Sequence, residues 1–268
     1  SMNRDDSHQH KARKRFGQNF LVDHHVINKI IAAIAPKPEQ NIIEIGPGHG
    51  AITEPILAKC PSLKAVELDR DLIPLLTEKL AGYPDFQIHQ GDALKIDFSQ
   101  FYQAGRAMRI IGNLPYNIST PLIFHLLGFS PQIEDMHFML QKEVVDRLAA
   151  SPGDKNYGRL SVMVQYYSSV QPLFSVPSTA FRPVPKVESA IVRLLPYSQP
   201  PHPANDLELL TRLVSASFQQ RRKTMRNTLK YMLDATQLEQ LDIDISLRPQ
   251  NLSVVDFVHL SNQIGALQ

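Results

Sequence analysis

Asn113-Leu114-Pro115-Tyr116 is the segment of this chain whose residue types point to the most specific chemistry. An exocyclic amine on adenine is a poor nucleophile, because its lone pair is delocalised into the ring. Methyl transfer to it requires that the lone pair be turned toward the electrophilic carbon, and two acceptors on the amine hydrogens achieve this. The Asn113 side-chain oxygen and the Leu114 backbone carbonyl are suitable acceptors. Pro115 stiffens the loop and Tyr116 offers a ring to the face of a base. No general base is demanded, since attack by the neutral amine on a sulfonium-bound methyl yields an acidic ammonium that loses its proton afterward. Alone, the same four residues also suit a proline turn closing a strand.

A second group of residues suits a nucleoside cofactor. Gly46, Gly48 and Gly50 follow the apolar run Asn41–Ile45, and such glycines allow a sharp turn and close backbone approach to a ligand. Glu67 ends the next apolar run, 19 residues after Gly48, where a carboxylate accepts from both hydroxyls of a ribose. Asp92, in Gly91-Asp92-Ala93-Leu94, follows a third run and suits the amino group of an adenine; the competing use is a helix cap. Ala51 completes a GxGxxA pattern, so this loop by itself also fits a dinucleotide such as NAD, or a tight turn with no ligand.

These residues need a scaffold that brings strand ends together. Asp23 can cap a helix whose apolar stripe is Val26, Ile27, Ile30, Ile31 and Ile34, ended by Pro36 and Pro38. Strands are expected at Asn41–Ile45, Leu63–Leu68, Phe86–His89, Arg109–Ile111 and Met136–Leu140. Helices are expected between them at Asp71–Leu80, Pro121–Leu127 and Lys142–Ala150. Alternation of this kind predicts an α/β fold, a mostly parallel doubly wound sheet. Val170–Val176 and Ser189–Leu195, joined through the proline-rich Phe181–Val187, are expected as an antiparallel hairpin at the sheet edge. Pro200, Pro201 and Pro203 mark a linker, followed by short helices at Leu207–Phe218, Arg222–Leu233 and Val254–Ile264. Residues 1–196 therefore read as the catalytic domain with a basic arm, and 197–268 as a small all-helical domain.

The composition is that of an ordinary globular chain: 268 residues, 28 basic against 26 acidic, 43% hydrophobic. One cysteine, Cys60, rules out an internal disulfide and fits an inert packing role. The histidines lack ligand spacing, so no metal is expected. No apolar run is long enough to span a membrane and no signal peptide is expected, which places the protein in the cytoplasm. The net charge of +2 is mild, but the cations are clustered. Lys11, Arg13, Lys14 and Arg15 form one group; Arg221, Arg222, Lys223, Arg226 and Lys230 form another, with no acid between Phe218 and Leu233. On helical spacing Lys223, Arg226 and Lys230 share a flank, and both groups could touch phosphate.

Phe16-Gly-Gln-Asn-Phe-Leu21, Glu44-Ile-Gly-Pro-Gly-His-Gly50, Val66-Glu-Leu-Asp69, Gly91-Asp-Ala-Leu94, Asn113-Leu-Pro-Tyr-Asn-Ile-Ser-Thr-Pro121 and Phe181-Arg-Pro-Val-Pro-Lys-Val-Glu-Ser189 closely resemble the bacterial 16S ribosomal RNA adenine N6-dimethyltransferases, the KsgA/RsmA family. The resemblance extends through Phe218-Gln-Gln-Arg-Arg-Lys223. It implies a Rossmann-like class I methyltransferase domain and S-adenosylmethionine as methyl donor. The implied substrate is a pair of adjacent adenines near the 3′ end of 16S rRNA, in an assembling small subunit, with the enzyme a monomer. Position by position, it implies that Asn19, Leu21, Gly46, Glu67, Asp92 and Asn113 contact the cofactor. Asn113, Leu114, Pro115 and Tyr116 would form the catalytic loop, Phe181 and Pro183–Pro185 would border the base pocket, and Arg221, Arg222 and Lys223 would help hold rRNA.

Three rival readings stand beside this one. A 23S rRNA adenine dimethyltransferase of the antibiotic-resistance type shares the glycine loop and an Asn-x-Pro-Tyr site, but the long Asn113–Pro121 and Phe181–Ser189 blocks favour the small-subunit enzyme. A ribosome-assembly factor would use the same surface for binding, with methylation secondary. An NAD-dependent oxidoreductase leaves Asn113–Tyr116 without a task.

Overall fold

In β2 (Asn41–Ile45) five consecutive residues are buried, the pattern of a strand covered on both faces. The computed structural model describes residues 19–268, so Lys11, Arg13, Lys14, Arg15 and Phe16 lie outside the described residues. Before β2 come a two-residue strand, β1 (Phe20–Leu21), and α1 (His24–Ile34). Asp23 caps α1 by accepting from the backbone N–H groups of His25 and Val26, and all five residues of the expected stripe are buried. Beyond β2 the chain runs through α2 (Thr53–Leu57), β3 (Lys64–Glu67), α3 (Leu72–Lys79), β4 (Gln87–Gln90), β5 (Met108–Asn113), α4 (Tyr116–Leu127), β6 (Ile133–Gln141) and α5 (Lys142–Ala149). It continues with α6 (Arg159–Tyr167), β7 (Ser168–Val176), β8 (Phe181–Arg182) and β9 (Ser189–Pro196). The remaining helices are α7 (Leu207–Gln219), α8 (Met225–Leu229), α9 (Ala235–Glu239) and α10 (Val254–Leu267).

The main sheet has the order β4-β3-β2-β5-β6-β9-β7, and β1 pairs separately with β8. Pairings from β4 through β6 are parallel and β6–β9 is antiparallel. The chain winds outward from β2 through β3 to β4, then returns to the other side of β2 with β5. The reversal opens a crevice at the carboxyl ends of β2 and β5, the place where open α/β sheets bind ligands. In the expected edge hairpin, β9 is inserted beside β6 and only β7 lies at the edge.

A buried ionic lattice ties β5, β6 and β9 to α1. Arg109 on β5 is paired in register with Asp135 on β6 and bonds it through Nε (2.9 Å) and Nη2 (3.0 Å). The same guanidinium donates to Gln40 Oε1 and the Ile34 carbonyl. Arg193 on β9 donates from Nη2 to the Ala33 carbonyl at 3.1 Å and from Nε to His137 Nε2 at 3.0 Å. Two guanidinium groups thus meet the carbonyl end of α1, where positive charge is favoured. Burial first, and the two arginines against the opposing pull of Asp135, bring the His137 pKa down to about 4. His137 is therefore neutral near pH 7.

Close packing divides the described chain into two compact units, 19–145 with 171–196 and 146–170 with 197–268. The second unit thus takes α6 from before β7, whereas a linear cut after Pro196 leaves that helix with the sheet. In that unit α6, α7 and α10 pack together, and Tyr157 is fully buried with its hydroxyl donating to the Leu252 carbonyl. Two helix expectations need correction. Helix α4 begins at Tyr116 rather than Pro121, because Pro115 caps it; the polar Asn117 and Thr120 interrupt the apolar periodicity of its first turns. The helix expected over Arg222–Leu233 contracts to Met225–Leu229. The Met225 and Arg226 N–H groups donate to the Leu247 and Ile245 carbonyls, so tertiary bonds fix where the helix starts. Among the described residues no helix is long and apolar enough to cross a membrane.

Two predictions follow from the packing of β2. A Cβ on Gly112 would lie 2.7 Å from the Ile45 carbonyl oxygen, so Gly112→Ala is expected to cost about 1–3 kcal/mol. Urea denaturation followed by circular dichroism checks this; an unchanged midpoint means that the strands can part there freely. Glu44, inside the buried row of β2, has a pKa pushed up to about 8, by burial first, against the Thr53 hydroxyl bond and with the help of Glu67. Unfolded, it ionises near the ordinary glutamate value of about 4.3. Its contribution to stability is therefore fully present below about pH 4.3 and lost as pH rises toward about 8. Glu44→Gln should gain on the parent chain steadily across that window, and a pH-independent difference would refute a neutral Glu44.

Candidate active site

All three glycines of the loop after β2 have positive φ, +67° at Gly46, +59° at Gly48 and +83° at Gly50. Only glycine adopts such a series cheaply. The Gly46 N–H donates to the Val66 carbonyl (2.9 Å) and the Gly48 N–H to Glu67 Oε1 (3.2 Å), which pins the loop to the end of β3. Glu67 Oε2 accepts from the Asp69 N–H at 2.9 Å. Burial raises the Glu67 pKa, and these N–H bonds oppose the rise. Each carboxylate oxygen carries two lone pairs and holds one loop N–H, so each retains capacity for a hydroxyl of a vicinal diol. Glu67 is in register with Gln90, two residues before Asp92, which places both carboxyls at one edge of the sheet. Asp92 Oδ1 accepts from the Leu94 N–H at 3.0 Å within a turn, and no helix starts there for it to cap.

The segment Asn19–Leu21 closes over this loop through β1 and β8, where Leu21 pairs with Phe181 and Phe20 with Arg182. The Phe20 ring stacks on His49 with 3.9 Å between centroids and 6° between planes. A Cβ on Gly48 would lie 2.8 Å from Phe20 Cε1, so glycine is required for this approach. Asn19 Nδ2 donates to the Pro183 carbonyl (2.6 Å), and the Asn19 carbonyl in turn accepts from Asn113 Nδ2 (3.3 Å).

That last bond orients the amide at the end of β5. With Nδ2 engaged, Asn113 presents Oδ1 as its acceptor. The Leu114 N–H donates to the Met139 carbonyl on β6 at 3.1 Å. Pro115 caps α4 with φ −58° and ψ 143°, and its carbonyl takes the first helical bonds, from Ile118 and Ser119. The Leu114 carbonyl therefore stays outside the helix ladder, and Tyr116 stands 69% exposed at the rim.

One cleft joins these parts. Of the residues expected from sequence, Asn19, Leu21, Gly46 and Asn113–Tyr116 line it, as do Phe181 and Pro185. Glu67 and Asp92 do not line it; they continue the same sheet edge toward β4. Glu44 and His137 also line the cleft and were not singled out as site residues from sequence. For Glu44 the available signal was a carboxyl inside an otherwise apolar strand; for His137 none existed locally. Among the described residues no group of three or more His, Cys, Asp or Glu is placed to hold a metal ion.

Arg221, Arg222 and Lys223 lie in the turn before α8, not on a helix flank. They are not equivalent. Arg221 donates to the Tyr157 carbonyl (3.0 Å) and sits over the Phe218 ring, 5.9 Å from its centroid. Arg222 and Lys223 are exposed.

Comparison with known proteins agrees with this architecture. Residues 9–265 match the family model described as ribosomal RNA adenine dimethylase. A ribosomal RNA small subunit methyltransferase A from Marinobacter nauticus is 60% identical over 260 residues, covering 97% of this chain and 94% of the relative. The crystal structure of a dimethyladenosine transferase from Plasmodium falciparum superposes with a TM-score of 0.77 at 28% identity, over 92% of this chain and 98% of that one. The 23S rRNA methyltransferase ErmE shares the fold, with a TM-score of 0.71 at 24% identity over 92% and 100% of the two chains. The sheet is thus that of a class I methyltransferase, and the chain belongs to the ribosomal RNA adenine dimethylase family.

Proposed function

We propose that this chain dimethylates the N6 amines of two adjacent adenosines near the 3′ end of 16S rRNA, with S-adenosylmethionine as donor, during small-subunit assembly in the cytoplasm. The observation that carries the reading is the Asn19–Asn113 bond, which commits Nδ2 of Asn113 and turns its oxygen into an acceptor beside the Leu114 carbonyl. Two acceptors set in this way draw on the hydrogens of an exocyclic amine and hold its lone pair out of conjugation with the ring. Tyr116 at the rim offers an exposed aromatic surface for an extruded base, and the buried Phe181 lines the cleft behind it. The small-subunit substrate is supported by the names of the close relatives.

The residues present fit the cofactor. The buried Glu67 carboxylate has acceptor capacity on both oxygens for ribose hydroxyls, Asp92 suits the adenine amino group, and Gly46 with Asn19 and Leu21 leaves a close backbone approach for the methionine part. When bound, S-adenosylmethionine supplies a methyl carbon made electrophilic by its sulfonium. The protein's contribution is position and charge: no side chain has to take the proton before transfer. After one transfer the amine has a single hydrogen, so one of the two acceptors must then face a methyl group. We read the enzyme as a monomer.

Asn113→Ala should retain cofactor affinity to within about an order of magnitude while lowering methyl transfer to small subunits lacking the modification by about 100-fold or more. Radiolabel from the donor, recovered as N6,N6-dimethyladenine, measures this, with large-subunit particles as control. Full activity in that variant would sink the assignment of the acceptor, and label in 23S rRNA would move the substrate to the large subunit. Gly48→Ala should weaken cofactor binding about tenfold in titration calorimetry, because the positive φ is strained and the added methyl meets Phe20. An unaltered Kd would show that this loop does not shape the cofactor site.

A further inference from the structure

Tyr231 is, at 75%, the most exposed large hydrophobic side chain among the described residues. A single exposed tyrosine needs no explanation by itself. Its surroundings supply one. Lys230 Nζ stands over its ring, 5.2 Å from the centroid, within cation–π range. Arg226 on α8 lies one helical turn before Lys230, the residue that caps the helix, and the Lys230 N–H donates to the Arg226 carbonyl at 3.0 Å. Asn227 Nδ2 donates to Gln220 Oε1 at 2.9 Å, which holds α8 against the turn that carries Arg222 and Lys223. Among the described residues none of Arg222, Lys223, Arg226 and Lys230 is in an ion pair, and all four are exposed. The nearest acid in sequence, Asp234, caps α9 by accepting from the Gln237 N–H at 2.8 Å. The backbone on either side of Tyr231 is anchored: Leu229 and Leu233 are buried, and the Leu233 N–H donates to the Leu229 carbonyl.

Four exposed cations outside any ion pair, carried by the short segment that leads to one exposed aromatic ring, complement an RNA strand with an unpaired base, because phosphates need cations and a base needs a flat apolar surface. A protein partner of mixed charge would leave most of these cations uncompensated. We propose that Tyr231 is a stacking platform for an unpaired base of the rRNA, with Arg222, Lys223, Arg226 and Lys230 on the flanking phosphates. The proposal rests on the rRNA methyltransferase reading and adds to it a contact in the helical unit that is aromatic rather than ionic.

Stacking and phosphate contacts differ in their response to salt, which makes the proposal testable. The probe is a labelled single-stranded RNA of about twelve nucleotides, adenine-rich, with an abasic version as control. Tyr231→Ala in the full chain should weaken binding roughly tenfold with the same salt slope, whereas Arg226→Ala should reduce the slope by about 0.7. The chain contains no tryptophan, so Tyr231→Trp places a lone indole at the platform. Its fluorescence should be quenched by the base-containing RNA and not by the abasic strand, and its affinity should match the parent's. In methyl transfer, Tyr231→Ala should raise KM for the particle and leave kcat unchanged. Parental affinity in Tyr231→Ala, a lowered salt slope there, or an indole not quenched by RNA would each overturn the proposal. Quenching by small subunits but not by RNA would overturn it in favour of a ribosomal protein. If Tyr231→Ala does not fold, the indole signal alone decides. Methyl transfer by the parent chain is measured in parallel. Its absence refutes the functional reading, whereas its presence with an unquenched indole refutes only the platform.

Discussion

The approach of β2 to β5 is the constraint on which the rest of the site depends. Ile45 faces Gly112 in register, so the next residues on the two strands are Gly46 and Asn113, the first of the glycine loop and the first of the amide loop. Their closeness is allowed because Gly112 has no Cβ and because Gly46 turns away with positive φ. The glycine loop and the amide loop therefore meet at one point without either having to reach across the sheet. The reversal of strand order makes the crevice, and these two glycines let it be narrow.

Around that point the polar groups fall into two kinds. Some are satisfied within the protein and serve rigidity. Arg109 with Asp135, and Arg193 with the carbonyl end of α1, fasten the sheet to the helix beneath the cleft. Others are left with capacity to spare. Glu67 holds one N–H on each oxygen, and Asn113 uses its nitrogen while its oxygen remains to accept. Glu44 stands between the kinds: burial keeps it protonated near neutral pH, so it lines the cleft without adding a negative charge beside Glu67.

The helical unit makes a similar division among its cations. Arg221 satisfies backbone carbonyls of the 155–157 segment and lies against Phe218, so it serves the fold. Arg222, Lys223, Arg226 and Lys230 have no such internal partners among the described residues and are exposed. A charge cluster in a sequence is thus a mixture of cations held by the fold and cations left exposed, and only packing separates them.

What the sequence determined by itself was everything governed by local chemistry. Continuous apolar runs placed β2 and β5 and a 3.6-residue period placed α1, the glycines marked the turn after β2, and Asn113–Tyr116 announced its acceptors. Tertiary structure decided what depends on distant partners. The bond that orients Asn113 joins residues 94 apart in the chain. Arg109 finds Asp135 only because two strands align in register, and α8 is shortened because the Met225 and Arg226 N–H groups meet carbonyls of the 245–247 segment. Likewise α6 packs with helices that follow it by some forty residues or more, which no linear cut could show. Local periodicity encodes which face is apolar; it carries no record of which polar group waits on the other side.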